Sequence, residues 1–315
     1  MTLLNRPSNG HVPSMVVLWR TARVFGPLPR AKLEALCRPR VNPDDSRMST
    51  TFATWRSFGM FLEGDDELVR LAPPFNEIGE ADIEALRSAV LDLLLRHDNC
   101  PALLAVDLSK EAEASRASDF VRVASWALAQ DPYRLASWQQ ERALDEASAQ
   151  GIALFRGDNR WPAFEEWAYF VGLGVVTRHG LVMSPARAIR EALSGKHPRV
   201  ALPSAEDVLL TTFLEDLARA IPVLDGGAFR VQIDDVLRAN GHSFDAHQVS
   251  PCLALALVQL HHEEEVLLSD RPGDVAERFS LVGRAGRVFR TASHIRRGSP
   301  RRARGVTSPA EEARA

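Results

Sequence analysis

Residues 50–74 read TTFATWRSFGMFLEGDDELVRLAPP, and this stretch decides how the N-terminal part of the chain folds. Trp55 and Phe58 recur at helical spacing before a glycine ends the run. Two short apolar stretches, Met60–Leu62 and Leu68–Leu71, then flank a polar tip, a pattern that predicts a β-hairpin. A helix that runs directly into a hairpin is typical of the end of a winged-helix domain.

Two more helices are predicted upstream of this segment. A Pro-Ser pair begins the first, over Ser14–Val24, and a proline precedes the second, over Arg30–Cys37. We expect Val17, Leu18, Thr21 and Val24 to lie on one face of the first helix, because they share one helical stripe. Together with a third helix over Ser46–Phe58, these elements fit the winged variant of the helix-turn-helix.

A similar pattern occurs twice more along the chain. Residues 165–185, EEWAYFVGLGVVTRHGLVMSP, repeat the order of aromatic helix, glycine, apolar strand, turn and apolar strand. A third version is expected from a helix over Val249–His262, through a strand over Glu265–Ser269, to a strand over Arg278–Val282. We therefore predict a mainly α fold with small β-hairpins, built from tandem winged-helix modules joined by helical segments.

These modules divide the chain into four predicted parts. Residues 1–75 form the N-terminal winged-helix domain, and residues 76–198 a helical segment with a second winged-helix-like module. Residues 199–290 form the third helical, winged-helix-like module. Residues 291–315 are rich in Arg, Gly, Ser and Pro and are expected to be a basic, disordered tail. The connecting helices are expected to be one-sided, and Ser204–Ala220 could serve as a dimer helix.

The composition is that of an ordinary soluble protein. Of the 315 residues, 45% are hydrophobic and 25% are charged. No apolar run approaches the roughly 20 residues that span a bilayer, and residues 1–15 lack a basic segment followed by an apolar stretch. We therefore expect a cytoplasmic protein without a signal peptide or a membrane partner. Cys37, Cys100 and Cys252 lie far apart without metal-ligand spacing, which predicts buried or neutral thiols.

The charge is distributed unevenly along the chain. The formal net charge is −3, but eight of the 38 basic residues lie in one stretch that contains no Asp or Glu. The other residues carry 30 Lys and Arg against 41 Asp and Glu, a net charge of −11. An acidic body does not attract a polyanion over a wide surface, so any DNA contact should be local. The eight residues of the basic stretch are Arg284, Arg287, Arg290, Arg296, Arg297, Arg301, Arg302 and Arg304.

Motifs of known catalytic chemistry are largely missing from the sequence. There is no phosphate loop, no GxSxG elbow and no HExxH motif. The cluster HHEEE at residues 261–265 places its two histidines side by side, where a helix points them in different directions, so a solvated helix end is favoured over a metal or acid–base site. The pairs Asp44-Asp45 and Asp234-Asp235 fit turns and helix starts better than nuclease carboxylates. We predict that the protein is not an enzyme and has no catalytic residue, metal or cofactor; an enzyme with a dispersed site is the least favoured alternative.

Nucleic-acid contacts are predicted on the third helix of the first module and on the basic stretch. The second module offers Glu165 and Glu166, which would repel phosphate, and the third helix of the third module is nearly apolar over Cys252–Leu260, so it is either buried or covered by another protein. The hairpin tip of the first module is also acidic. The candidate residues are Arg47, Ser49, Thr50, Thr54 and Arg56, with the eight arginines of the basic stretch.

Two tryptophans hold equivalent places in the first two modules. Trp55 and Trp167 each lie on the helix that precedes a hairpin. A large ring at this position covers the core under the wing, so core packing is favoured over stacking on a base or a partner.

The stretch LLNRPSNGHVPSMVVLWRTARVFGPLPRAKLEALCRP at residues 3–39, with the hairpin that follows it, resembles the DpdG family. Proteins of this family are accessory components of bacterial systems that place deazaguanine bases in DNA and restrict unmodified DNA. The resemblance implies a partner in a multi-protein defence or restriction complex, alongside helicases and nucleases. It carries over no catalytic residue.

Two functions fit these observations. The first is a non-enzymatic adaptor of a DNA modification and restriction complex, which contacts double-stranded DNA through the first module and the Arg-rich tail. The alternative is a transcriptional regulator of the winged-helix class that binds an operator as a dimer. Neighbouring helicase and nuclease genes would favour the adaptor, and a divergent operon would favour the regulator.

Overall fold

The computed structural model describes most of the chain. Helices form most of its regular structure, and the strands are short and belong to small sheets, so the predicted fold class of mainly α with small β-hairpins is confirmed. The described residues are 2–4, 11–38, 46–104, 116–135, 140–155, 160–178, 180–194, 198–271, 273 and 277–299.

The helices run in the following order along the described chain: α1 (Val12–Phe25), α2 (Arg30–Cys37), α3 (Arg47–Phe58), α4 (Ile83–Leu94), α5 (Ser118–Ala129), α6 (Pro132–Leu135), α7 (Gln140–Ala149), α8 (Arg160–Phe170), α9 (Ala186–Ser194), α10 (Leu210–Ala220), α11 (Ala228–Ala239) and α12 (Pro251–His262).

The strands between them are β1 (Leu28–Pro29), β2 (Phe61–Glu63), β3 (Leu68–Leu71), β4 (Gly174–Thr177), β5 (Gly180–Met183), β6 (Val208–Leu209), β7 (Gln248–Val249), β8 (Val266–Ser269), β9 (Phe279–Val282), β10 (Val288–Ala292) and β11 (His294–Arg297).

The first hairpin forms as predicted from residues 50–74. Gly59 adopts the left-handed conformation, φ 99°, which a residue with a side chain rarely adopts, and it ends α3. The backbone N–H of Met60 then donates to the carbonyl of Trp55 at 2.9 Å. Strands β2 and β3 pair antiparallel, and β1 pairs with the other edge of β3, so the sheet order is β1-β3-β2.

The buried face of α1 differs from the stripe predicted for Val17 and Val24. Val17 and Val24 are exposed, whereas Met15, Leu18 and Trp19 are buried. These buried residues form a neighbouring helical stripe that contains the larger ring, and the indole N–H of Trp19 donates to the carbonyl of Phe75 at 3.2 Å. Val17 and Val24 are left exposed because burying Trp19 removes more apolar surface from water than burying either valine.

The second hairpin also forms as predicted. Strands β4 and β5 pair antiparallel from Gly174 opposite Met183 to Thr177 opposite Gly180. Within the described residues this sheet has two strands, and the short helix α6 packs next to β5.

The third predicted hairpin does not form. Strand β8 pairs antiparallel with β11, whereas β9 pairs antiparallel with β10 and parallel with β7. The tight turn between β9 and β10 uses left-handed backbone at Ala285, φ 55°, and Gly286, φ 77°, and this turn brings β10 next to β9. Strand β6 pairs with the other edge of β11, so the order β6-β11-β8 repeats the order β1-β3-β2 of the first sheet.

Helix α5 lies at the centre of the molecule. Every residue from Ser118 to Leu128 is buried, so the expectation that the connecting helices are one-sided was wrong for this helix. It packs against α8, α11 and α12. Two of its buried polar side chains bond to distant parts of the chain: Asp119 accepts from the N–H of Leu4 at 2.8 Å, and the indole N–H of Trp126 donates to Gln150 at 2.7 Å.

Ion pairs connect helices that are distant in sequence. On α9, Arg187 pairs with Glu84 of α4 at 2.8 Å, and Arg190 pairs with Glu263 and Glu265, which follow α12, at 2.5 and 2.6 Å. These contacts join α9 to α4 on one side and to the segment between α12 and β8 on the other. Among the described helices, none has the length and apolar content to cross a membrane.

Candidate nucleic-acid interface

The outward face of α3 carries most of the candidate residues of the first module. Arg47 and Arg56 are exposed, and Ser49 and Thr50 are partly exposed. The hydroxyls of Ser49 and Thr50 each donate to the carbonyl of Ser46 at 2.9 Å, so they close the first turn of the helix. These four side chains are within reach of a ligand that approaches α3 from solvent.

Thr54 points inward instead. Only 2% of its surface is exposed, and its hydroxyl donates to the carbonyl of Thr50 at 2.9 Å. It shares the inner face with Thr51 and Trp55, since residues three and four apart lie on one side of a helix. Thr54 therefore packs in the core and is not accessible to a base edge.

The guanidinium of Arg56 forms an ion pair with Glu63 of β2. Both side chains are partly exposed, so water weakens the pair. The pair nevertheless places a carboxylate beside the cation that a phosphate group would approach. A polyanion that binds this face has to compete with Glu63.

The tip of the first hairpin is acidic. Glu63, Asp65, Asp66 and Glu67 are exposed. Arg70 donates to Asp66 at 2.8 Å, and this hydrogen bond lowers the pKa of Asp66 to about 2. The hairpin therefore repels a phosphate backbone.

Part of the basic stretch belongs to the folded sheets. Arg290 lies on β10, and Arg296 and Arg297 lie on β11, so residues 291–297 form strands rather than the start of a disordered tail. Arg296 lies 3.5 Å from Asp207, which also pairs with Arg271 at 2.9 Å. Arg296 thus lies against an acidic group of the folded body.

The other arginines of the stretch differ in their surroundings. Arg287 is exposed at the turn between β9 and β10. Arg284 is described for its backbone only, within the same turn. Residues Arg301, Arg302 and Arg304 lie outside the described part of the chain.

His261 accepts a hydrogen bond from Arg290. The Nε2 atom of His261 lies 2.5 Å from Nη1 of Arg290, which also donates through Nη2 to the carbonyl of Leu268 at 2.8 Å. Because Nε2 accepts this hydrogen bond, the proton of the neutral ring lies on Nδ1, which faces the carbonyl of Val266 at 3.4 Å. Burial and the neighbouring Arg290 both lower the pKa of His261. The imidazole is therefore held in its neutral form.

The carboxylates of the HHEEE cluster have structural partners. Glu263 and Glu265 both pair with Arg190, so they fix α9 against the C-terminal sheet. Within the described residues, no three His, Cys, Asp or Glu side chains are close enough together to hold a metal ion. Burial raises the pKa of Cys37, Cys100 and Cys252, as expected for neutral thiols in the core.

The adjacent carboxylates on α11 also serve different partners. Asp234 accepts from the buried Arg230 at 2.7 Å, whereas Asp235 accepts from Arg238 at 2.7 Å on the solvent side. Two carboxylates that point away from each other do not form a nuclease pair. The pair Asp44-Asp45 lies outside the described residues.

Helices α8 and α12, which precede strands β4 and β8, pack against other parts of the chain. Glu166 of α8 pairs with His11 at 3.0 Å, and Glu165 accepts from the indole N–H of Trp161 at 3.1 Å. Helix α12 buries Cys252, Leu257 and Leu260, among others. Its apolar surface is therefore buried within the chain rather than covered by another protein.

Sequence reasoning missed two exposed aromatic rings near the basic turn. Phe289 follows Arg287 on β10, and Tyr133 lies on the short helix α6, far away in sequence. The alternation of Arg287, Phe289 and Arg290 without an acidic residue was a signal for the first ring. For Tyr133 the sequence contains no comparable signal.

Comparison with known proteins adds one relationship. No curated protein and no solved structure matches this chain. A family match does exist, and it ends before strands β9, β10 and β11. The chain belongs to the DpdG-like family, whose model matches residues 1–272.

Proposed function

We propose that this protein is a non-enzymatic adaptor of a bacterial DNA modification and restriction complex of the Dpd type, which acts in phage defence. The observation that carries the proposal is the family match over residues 1–272, because the DpdG-like family points to an accessory role in such a system. Its partners in this proposal are the helicase and nuclease components of the complex.

We further propose that the first and third sheets belong to winged-helix modules. In both, a two-residue strand directly precedes a helix and pairs with the last strand, which also pairs with the strand that follows the last helix of the unit. Two helices separate these strands in the first unit and three in the third. The connection from β8 to β11 contains β9 and β10, so the third module has an enlarged wing. The repeated strand order supports this assignment.

The exposed apolar side chains of α1 and α2 suggest where a protein partner binds. Val17, Val24, Phe25 and Leu36 are exposed, and the two helices pack against each other. Apolar residues on one part of a surface favour protein contacts over contacts with a phosphate backbone. We propose that this surface docks a protein of the complex and leaves α3 to contact duplex DNA through Arg47 and Arg56.

The structure gives no support to the operator-binding dimer through Ser204–Ala220. Helix α10, which covers most of that segment, buries Leu210, Phe213 and Leu217 inside the chain. Its apolar face is therefore buried within the chain and is not exposed for a dimer contact.

The proposal is tested by reconstitution with the helicase and nuclease components of a Dpd-type system. The purified proteins are mixed, and complex formation is measured by size-exclusion chromatography with light scattering. We expect a complex with at least one of them, and we expect the substitution pair Val24→Asp and Phe25→Asp to abolish it. Val175→Asp and Val176→Asp on β4, which also replace two exposed apolar residues, are the matched control. If neither protein binds the wild-type chain, the adaptor role is wrong.

A further inference from the structure

A cleft of about 450 Å³ opens between α6, α12 and the hairpin of β9 and β10. Its walls carry the rings of Tyr133, His262 and Phe289, with Val258 as an apolar side chain and Arg290 as a cation. The proposed DNA contact on α3 makes no use of this cleft, which lies between α6 and the C-terminal part of the described chain.

Two exposed rings border the cleft. Phe289 is 46% exposed and Tyr133 is 40% exposed, so part of each ring is accessible to a ligand. The ring of Phe289 lies over the backbone of Gly283, where an added Cβ would approach its Cε2 atom to 1.8 Å. Only glycine at position 283 leaves room for the ring, so its position is determined by the hairpin.

Asp131 connects the two sides of the cleft. Its Oδ1 accepts from the N–H of Tyr133 at 2.9 Å, and its Oδ2 accepts from the N–H of Ala285 in the hairpin turn at 3.3 Å. One carboxylate thus holds both the helix that carries Tyr133 and the turn that precedes Phe289. The aromatic walls are therefore positioned before any ligand binds.

The hairpin that forms one wall is positively charged. Residues 279–299 contain no Asp or Glu, and Arg287 is exposed at the turn. Arg290 is anchored to His261 and to the carbonyl of Leu268, so it adds positive potential at a fixed place. Asp131 and Asp270 are acidic groups that contact this hairpin: the two oxygens of Asp131 accept hydrogen bonds from the backbone, and Asp270 accepts from the hydroxyl of Thr291 at 3.0 Å.

Exposed aromatic rings beside fixed cations are the features that bind unpaired nucleotides. A base has an apolar face that stacks on an aromatic side chain, and its phosphate needs a cation within one nucleotide of that ring. In a duplex the base faces are stacked on one another, so the rings of this cleft would find no partner there. The absence of a carboxylate on the hairpin also makes the surface complementary to a polyanion.

We propose that this cleft binds single-stranded nucleic acid, with a base stacked on Phe289 and Tyr133 and a phosphate on Arg287. The proposal rests on the proposed function, because it supplies a nucleic-acid site in the same adaptor. It adds the form of the ligand, an unpaired strand of the kind that a helicase produces, and assigns one wall of its site, the hairpin of β9 and β10, to a part of the chain beyond the family match.

The test measures binding of the full-length protein to a fluorescein-labelled oligo(dT) by anisotropy, with a blunt duplex as the second probe. Phe289→Ala and Tyr133→Ala should each weaken oligo(dT) binding by about 5- to 150-fold. Phe289→Trp should retain binding and Phe289→Leu should lose it, since leucine keeps the apolar contact but not the stacking face. Duplex binding should change little in all four variants.

The chain provides matched controls for these substitutions. Tyr169 on α8 is 43% exposed and Phe244 is 39% exposed, and both lie outside the cleft. Tyr169→Ala and Phe244→Ala should leave oligo(dT) binding unchanged. Thermal melting of each variant identifies those that fail to fold, and Tyr133→Phe, which removes only the hydroxyl, should bind like the wild type.

Specific outcomes overturn the proposal. If Phe289→Leu binds oligo(dT) as tightly as the wild type, the ring does not stack on a base, and a peptide ligand becomes the better explanation of the cleft. If the wild type binds the duplex but not oligo(dT), the single-strand site is wrong while the duplex contact proposed for α3 stands. If it binds the helicase or nuclease but neither nucleic acid, the adaptor role stands and both DNA sites are wrong.

Discussion

The indole rings of Trp55 and Trp167 lie against each other, with centroids 5.2 Å apart and an angle of 44° between the ring planes. Both rings are buried, and they come from α3 and α8, the helices that precede the first and second hairpins. Two tryptophans that each lie on a helix before a hairpin therefore meet directly in the core. Their contact joins the two parts of the chain, as does the pair of His11 with Glu166.

We predict that Trp55→Ala destabilises the protein by about 3–5 kcal/mol, because it leaves a cavity at this junction. Trp167→Ala should destabilise it by a similar amount. The double variant should be less destabilised than the sum of the two single variants, by about 0.5–1.5 kcal/mol for the lost ring contact. Urea unfolding measures the three free energies. A Trp55→Ala protein that unfolds like the wild type would contradict the core role of this ring.

The ion pair of Arg56 with Glu63 predicts an unusual gain of DNA affinity. Glu63→Gln removes the carboxylate that competes with phosphate for Arg56, so duplex binding should strengthen and the salt slope should steepen by about 0.9 for one added phosphate contact. Glu67→Gln on the same hairpin tip is the control, because it removes the same charge without releasing Arg56. Fluorescence titrations at several salt concentrations measure both. Equal gains in the two variants would show that only the net charge of the tip matters.

The substitution pair Arg47→Ala and Arg56→Ala should have the opposite effect on duplex binding. Each lost phosphate contact flattens the salt slope by about 0.9, so the affinity falls most at low salt. Arg219→Ala with Arg238→Ala replaces two exposed arginines elsewhere and should leave the slope unchanged. An unchanged slope in the α3 variant would remove this helix from the DNA contact.

Acid should weaken the contact between His261 and Arg290. Because the pKa of His261 in the folded protein lies below its usual value of 6.5, the unfolded chain binds a proton more readily than the folded chain in this range. Stability should therefore fall as the pH drops below about 6.5. His261→Gln should make the melting temperature less sensitive to pH between 7 and 5. His242→Gln, at an exposed histidine, should not change that sensitivity, and an identical pH profile for His261→Gln would contradict the assignment.

Two truncations separate the folded and the terminal parts of the basic stretch. A stop after Ser299 removes Arg301, Arg302 and Arg304 and leaves every described pairing of β11 intact, so we expect the wild-type melting temperature with weaker nucleic-acid binding at low salt. A stop after Ser293 also removes β11, the central strand of the sheet β6-β11-β8, and should lower the melting temperature. Full nucleic-acid affinity in the first truncation would show that these three arginines make no contact.

The sequence alone determined the structures that depend on neighbouring residues. Gly59 ends α3 and starts the first hairpin because the left-handed backbone it adopts is strained for other residues. The second hairpin between Gly174 and Met183 followed from the same kind of signal, a turn between two short apolar runs. The buried state of Trp55 could be predicted too, since a large ring on the helix before a hairpin has little room except in the core.

Tertiary packing decided what depends on distant residues. Strand β8 could pair with the next strand in sequence or with β11, and turn signals do not distinguish these partners. Burial of His294 and Ile295 on β11 favours the more distant partner, because pairing there removes their side chains from water. The same competition for burial left Val17 exposed and Trp19 buried on α1. Tertiary packing also brought Tyr133 and Phe289 to one cleft, and no local sequence pattern predicts that they lie together.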